Sequence, residues 1–339
     1  MTLTETATIT KRFLRVFLIF GGAFLFLWIA YLYIYNNVYV PYQKSQIKAE
    51  RRFGPLPKPK YPSSLLSSSS LNYTVDTRSG FLPTGFPKLI KVYFIPPLEV
   101  SLLSPDRARK IAFGLGFNDG PDILSQTQYR FYDRTGGNIV LDLTTANFIA
   151  KRGQPIAESP QDDQLPELST IALDFKNYLN SKALIKSSLV NGATQAFYDG
   201  QNKIDSKTAT VSLWPEDIET NLPIVTKSPK EALVRATVTK YKDENYHYQI
   251  LNYIYWNVDK TTSSSYFLKS VDQAFEELKK GQGIVVKNQT SNSKASITKV
   301  YLAYYMSEEY SSFLEPVFVF EGDQFTAYVS ALTADSYTQ

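Results

Sequence analysis

Residues Val16 to Tyr35, VFLIFGGAFLFLWIAYLYIY, carry no charge at all. An uncharged apolar run of about 20 residues is the length at which a helix crosses a hydrocarbon core of about 30 Å. Lys11, Arg12 and Arg15 lie just before it, and the first acidic residue after it is Glu50. A basic flank on the N-terminal side predicts a short cytoplasmic N-terminus and an exported remainder. A cleaved signal peptide would carry a shorter apolar region, ~7–15 residues, ending in a small-residue site. Here the run leaves through Trp28, Tyr31, Tyr33, Tyr35 and Tyr39, which suit an interfacial aromatic belt. The expectation is an uncleaved transmembrane helix over residues 16–38 behind a cytoplasmic segment 1–15. The lipid bilayer is then one partner, and the location is the cell membrane, single-pass, with the C-terminal region extracytoplasmic.

The chain holds 36 Lys+Arg and 32 Asp+Glu, of which the first fifteen residues contain three and one, leaving 33 against 31. A nucleic-acid binder needs a basic surplus to neutralise phosphates, so no nucleic-acid partner is expected. There is no cysteine. Disulfides, thiol nucleophiles and cysteine-ligated metals are excluded together. With 24 Tyr and 21 Phe, the chain has the means to build an apolar core.

Prolines at 55, 57, 59 and 62 precede the serine-rich run Ser63 to Ser70. That composition predicts an extended, partly flexible stalk over 39–72. Lys88 to Ile95 reads as a strand stopped by Pro96-Pro97. A helix follows over Ser104 to Leu115, with Ser104 as cap, Pro105 in the first turn, and Ala108, Ile111, Ala112 and Leu115 on one stripe. Gln128 to Asp133 and Asn138 to Leu143 read as a hairpin around Thr135-Gly136-Gly137. The polar stretch from Lys151 to Glu167 reads as a boundary. A second helix is expected from Pro166 to Leu179, then strands at Thr194 to Tyr198, Thr208 to Trp214, Ala232 to Lys240 and Tyr248 to Val258. Ser270 and Gln273 form a capping-box pair for a third helix, Val271 to Lys280, with Gly281 closing it. Strands at Ile284 to Val286, Ile297 to Tyr305, Pro316 to Phe320 and Phe325 to Leu332 complete an antiparallel meander. Strand, capped helix and meander thus occur twice. Such segregated runs predict an α+β fold, with a first module over 73–155 and a second over 156–339.

Three segments, VDQAFEELKKGQG from Val271, KVYLAYYMSEE from Lys299 and FLEPVFVFEG from Phe313, resemble the repeat of PepSY-like domains. They are most similar to the YycH/YycI-type regulators of Gram-positive bacteria. Ala274, Leu278, Gly281, Ala303, Tyr304, Tyr305, Pro316 and Val317 occupy the repeat's positions, with Phe318 where an aromatic, usually Trp, stands. The resemblance implies two PepSY-like modules of antiparallel sheet, each packing an amphipathic helix, behind one membrane span. It also implies contact with another membrane or envelope protein.

Motifs that specify chemistry are missing. His247 is the single histidine, and with no Cys and no spaced acidic cluster a zinc site lacks a ligand set. The S-x-x-K strings at Ser45 and Ser291 lack the accompanying S-D-N and K-T-G elements of a penicilloyl-type enzyme. Gly114, Gly116 and Gly120 follow a helix instead of opening one, so they do not form a phosphate loop. Asp119, Asp122, Asp162 and Asp163 lack the alternating pattern of a calcium loop. No catalytic residue, cofactor or metal is therefore expected. The expected function is a non-enzymatic, membrane-anchored, extracytoplasmic binding or regulatory protein. Its partner-binding residues are placed at Phe318, Phe325 and Tyr328, in or beside the surface of an aromatic meander, Ile297 to Leu332, whose last strand is read as a sheet edge. A carboxylate-based cell-envelope hydrolase or transferase, or an exported lipid- or glycan-binding protein, stands as the alternative. Oligomeric state is left open.

Overall fold

The computed structural model describes residues 3–39, 48–62, 66–68, 71–153, 161–289 and 294–338. The chain divides into two compact units, Met1–Glu50 and Arg51–Gln339.

In the first unit, helix α1 runs unbroken over Leu3–Ile34 and gives way to a π-helical turn, Tyr35–Tyr39. The polar stretch holding Glu5, Lys11, Arg12 and Arg15 therefore belongs to the same helix as the apolar run. Among the described residues no helix is long and apolar enough to cross a membrane. The anchor expected over 16–38 is not supported, nor are the bilayer partner and the cell-membrane, single-pass location built on it.

The second unit is mostly sheet. In chain order its elements begin with β1 (Leu66–Ser67), β2 (Asn72–Val75), β3 (Leu89–Phe94), α2 (Ser104–Gly114), β4 (Asp119–Ile123), β5 (Gln128–Tyr132), β6 (Asn138–Asp142) and β7 (Phe148–Lys151). The middle holds α3 (Leu168–Ser181), β8 (Thr194–Tyr198), β9 (Ala209–Leu213), β10 (Ile224–Val225), β11 (Val234–Val238), β12 (Tyr248–Tyr253) and β13 (Asp259–Phe267). The chain closes with α4 (Val271–Lys279), β14 (Ile284–Asn288), β15 (Lys294–Ile297), β16 (Lys299–Tyr305), β17 (Phe313–Gly322) and β18 (Phe325–Ser330).

Two eight-stranded sheets result. The first has the order β1-β14-β18-β17-β16-β10, with β3 joining β17 to β13; the second runs β4-β5-β6-β7-β12-β11-β9-β8. A parallel pair, β2 with β15, makes a third sheet. The expected division at residues 155/156 cuts through the second sheet, because β7 pairs with β12 from Lys151↔Ile250 to Phe148↔Tyr253. The first sheet mixes both halves too, since β3 pairs with β13 and β17. Two self-contained α+β modules are thus replaced by interleaved sheets. The physical reason is edge pairing: each half alone leaves long strands with unpaired backbone groups, and the other half supplies their partners.

Helices α2 and α3 cover one face of the second sheet. Ala108, Ala112 and Leu115 from α2, with Ile171, Phe175 and Leu179 from α3, pack on Phe131, Ile139, Leu141, Val211 and Ala236. The strands alternate as a half-covered sheet must, buried then half-exposed, in β6 and β11. Helix α4 covers the first sheet through Val271, Ala274 and Leu278, packed with Phe320, Phe325 and Val329. Its capping box is present: Ser270 Oγ accepts from the Gln273 amide at 3.2 Å, and Gln273 Oε1 accepts from the Ser270 amide at 3.1 Å.

The proline-rich segment is no free stalk. Leu56 is fully buried, its amide bonds Ser336 O at 2.8 Å, and its carbonyl accepts from Thr338 N at 2.8 Å. The serine run supplies β1, paired with β14, and the buried Ser68, whose Oγ donates to Leu278 O at 2.7 Å. Prolines here set an extended path that the sheet captures as a strap.

Candidate functional site

The three residues expected to contact a partner lie in the interior. Phe318 and Phe325 belong to the core beneath α4, and Tyr328 packs with Tyr305 and Val319; none is more than 1% exposed. Strand β18 is not an edge, since β14 and β17 pair with it on either side. These side chains offer no contact surface. An apolar strand rich in aromatics signals burial on both faces at least as strongly as it signals an interface.

His247 does not lie on a strand but closes a short helical turn, Glu244–His247, with Nδ1 placed 2.9 Å from Tyr241 O. Ser45 and Ser291 lie outside the described residues. Asp119 and Asp122 sit on β4, where Tyr132 Oη donates to Asp122 at 2.5 Å. Among the described residues no group of three or more His, Cys, Asp or Glu is placed to hold a metal.

A cleft of about 500 Å³ opens where the uncovered face of the second sheet meets the loop after β16. Val140 and Ile149, register partners on β6 and β7, lie on its floor. Its wall is the crossing segment between β12 and β13, which carries Ile254 and Trp256 from one sheet to the other. Trp256 is held from two sides. Its Nε1 donates to Ser307 O at 2.8 Å, and its ring meets Tyr310 edge-on at 5.7 Å. Tyr310 Oη in turn donates to Ile95 O at 2.9 Å. Trp256 also borders a second, more polar cleft of about 450 Å³, with Ser187, Glu216 and Lys260 on its rim.

A tight turn places Asn147 at the edge of the first cleft. Asp142 Oδ1 accepts from the Thr144 and Thr145 amides at 2.9 Å each, and Ala146 takes a φ of +60° to close the turn. Asn147 Oδ1 accepts from the Tyr255 amide at 2.9 Å, which fixes the orientation of its side chain. Its Nδ2 is buried and, among the described residues, has no hydrogen-bond partner. A buried amide donor left unpaired is costly. Glu308 on the opposite rim is neutralised by Lys227 at 2.6 Å and Arg235 at 3.3 Å. Nothing in L-T-T-A-N-F marks Asn147 as special; its unpaired donor exists only once Tyr255 is in place.

Other polar groups among the described residues are buried without full satisfaction, Glu315 and two tyrosines near it among them. Glu315 on β17 is 2% exposed, and burial pushes its carboxyl up to about 8 despite a hydrogen bond from Tyr337. Its Oε2, Tyr61 Oη and Tyr305 Oη have no partner. The adjoining void is only about 10 Å³, roughly room for one water and not for a substrate.

The architecture is that of a mostly-sheet protein with a cleft at the waist between two interleaved sheets. The chain matches no family model and no curated protein. Among solved structures it is similar to an uncharacterized protein from Eubacterium rectale, at 12% identity over 74% of this chain and 82% of that one, with a TM-score of 0.38. A likeness of that size carries no argument about function.

Proposed function

We propose that this protein acts by contact, as a non-enzymatic binding module whose waist cleft takes an extended apolar segment of another protein. The observation that carries this reading is the unpaired, buried Asn147 Nδ2 in a cleft lined by Val140, Ile149, Ile254 and Trp256. Binding opens the turn around Asn147 Nδ2, which is shut off from solvent in the free protein, to a peptide carbonyl, while apolar side chains cover Ile149, 42% exposed, and Leu98, 50% exposed. Aromatic anchors around one specific polar contact are the usual composition of a recognition site. The contact role implied by the YycH/YycI-type resemblance points the same way. The partner's location is left out of the reading, because the anchor that would have set it is not supported.

The test is to pan a displayed peptide library against the purified chain and measure the selected peptides by calorimetry. Apolar peptides are expected to bind, and both Asn147→Asp, which keeps the acceptor for Tyr255 but removes the donor, and Ile149→Asp should weaken them about 10-fold or more. Selected peptides indifferent to both substitutions would place recognition elsewhere. Turnover of a small substrate, abolished by replacing one acidic residue, would replace contact with catalysis.

A further inference from the structure

Strand β8 is the last strand of the second sheet, and among the described residues only β9 pairs with it. Trp214 N donates to Ala193 O at 2.9 Å and Asp199 N donates to Thr208 O at 3.1 Å. In the register Thr194↔Leu213 through Tyr198↔Ala209, this makes 193, 195, 197 and 199 the residues that bond inward. Thr194, Ala196 and Tyr198 therefore turn their N–H and C=O groups to the free edge.

Proteins usually blunt such an edge with charge, proline, a bulge or shortness, and the terminal strands β1, β4 and β10 and the strand β13 are blunted in these ways or covered. β4 carries Pro121, a register shift between Asp119 and Asp122, and both of those acids exposed. β1 and β10 are two residues long. β13 is covered by the strap, through Arg51 N to Ser265 O at 3.2 Å and Arg52 N to Ser264 Oγ at 2.8 Å. β8, Thr-Gln-Ala-Phe-Tyr, has five residues in unbroken register with no charge and no proline. Large apolar side chains are exposed near it in the sequence: Val190 (52% exposed) four residues before the strand and Ile204 (73%) six residues after it. Leu173 (62%) stands one turn from Lys176, whose Nζ reaches Gly192 O at 3.3 Å beside the strand's start.

We propose that the β8 edge pairs antiparallel with β8 of a second copy of this chain, joining two eight-stranded sheets across a two-fold axis at Ala196. The parity of the edge fits that axis. Ala196 faces its counterpart and Thr194 faces Tyr198, so all three outward residues become hydrogen-bonded pairs, about six bonds in total. The small Ala196 sits on the axis itself, and the uncharged strand brings no like charges together. A self-complementary patch repeated on both copies is what a closed two-fold dimer requires.

Sedimentation velocity of the full chain over a concentration series tests this. A reversible dimer is expected, weakened about 100-fold or more by Ala196→Pro, which removes the central outward N–H. That amide makes no bond to β9, and proline is tolerated on an edge strand's open side, so an unchanged circular-dichroism melt shows the sheet intact. The chain has no cysteine, which permits a direct geometric check. Gln195 and Phe197 would face each other across the axis as a non-hydrogen-bonded pair, about 4.5 Å apart at Cα. Mixing Gln195→Cys with Phe197→Cys should give a disulfide-linked heterodimer, lost when Ala196→Pro is added. A chain that is monomeric throughout, a dimer indifferent to Ala196→Pro, or a mixture that forms no disulfide would overturn the proposal.

Discussion

Glu315 lies on β17 under two crossing segments, the strap with Tyr61 and the C-terminal stretch with Tyr337. Tyr305 is its register partner on β16. Burial raises its carboxyl to about 8, whereas in the unfolded chain it titrates near its ordinary 4.5. Between those values the folded state holds a proton that the unfolded state has released. This contribution to stability is fully present below about 4.5, declines as pH rises, and is gone above about 8. Glu315→Gln, neutral at every pH, should therefore raise the melting temperature at pH 9 and change it little at pH 4. The difference corresponds to a few kcal/mol, on the order expected for a buried carboxyl. An identical pH profile for the two proteins would show that the carboxyl is not strained by its surroundings. In F-L-E-P-V-F the glutamate reads as one polar residue in an apolar strand. Neither its burial nor its tyrosine neighbours, which come from residues 61, 305 and 337, are local properties. Asn147 is the same case: its turn is encoded nearby, its unpaired donor is not.

The elements most legible in the sequence are those whose signals are closed within a few residues. The third helix is one: Ser270, Gln273, the stripe Val271-Ala274-Leu278 and Gly281 are all local, and α4 forms over Val271–Lys279 with its capping box made. Ser270→Ala removes the half of that box made by the serine hydroxyl, leaving the Ser270 amide to Gln273 Oε1, and should cost ~1 kcal/mol by urea unfolding, with an unchanged slope. A loss below a few tenths would mean that packing under Phe275 and Leu278 holds the helix without its cap. The first helix shows how such a signal slips. Ser104 is the first helical residue and not the cap, and its Oγ accepts from the Ser101 amide at 3.0 Å instead. Strand β13 was not legible, because K-T-T-S-S-S-Y-F looks like a polar connection. Its strand character comes from β3, across the register Ser263↔Tyr93 to Phe267↔Leu89. β4 and β7 were hidden for the same reason, one by Gly120-Pro121 and the other by its place against a polar boundary.

At the scale of the molecule, interleaving makes the two halves interdependent. The fragment 73–155 carries β3 to β7 and α2 but loses β12 from the edge of β7, and β13 and β17 from the edges of β3. It should show no cooperative thermal transition by near-ultraviolet circular dichroism, while 51–339 melts in a single step. A sharp transition in the fragment would restore the independent module. The sequence by itself determined the local content of this protein: two strong amphipathic helices, most strand positions, the absence of cysteine chemistry, and an apolar run near the N-terminus. Only the tertiary structure decided that this run continues a helix of mixed character, that the proline stretch is a strap, that Phe318, Phe325 and Tyr328 are core, and that one asparagine is left wanting a partner. The reason is physical. Periodicity and capping are set by residues a turn or two apart, whereas strand partners, burial and unpaired groups depend on which distant segment arrives.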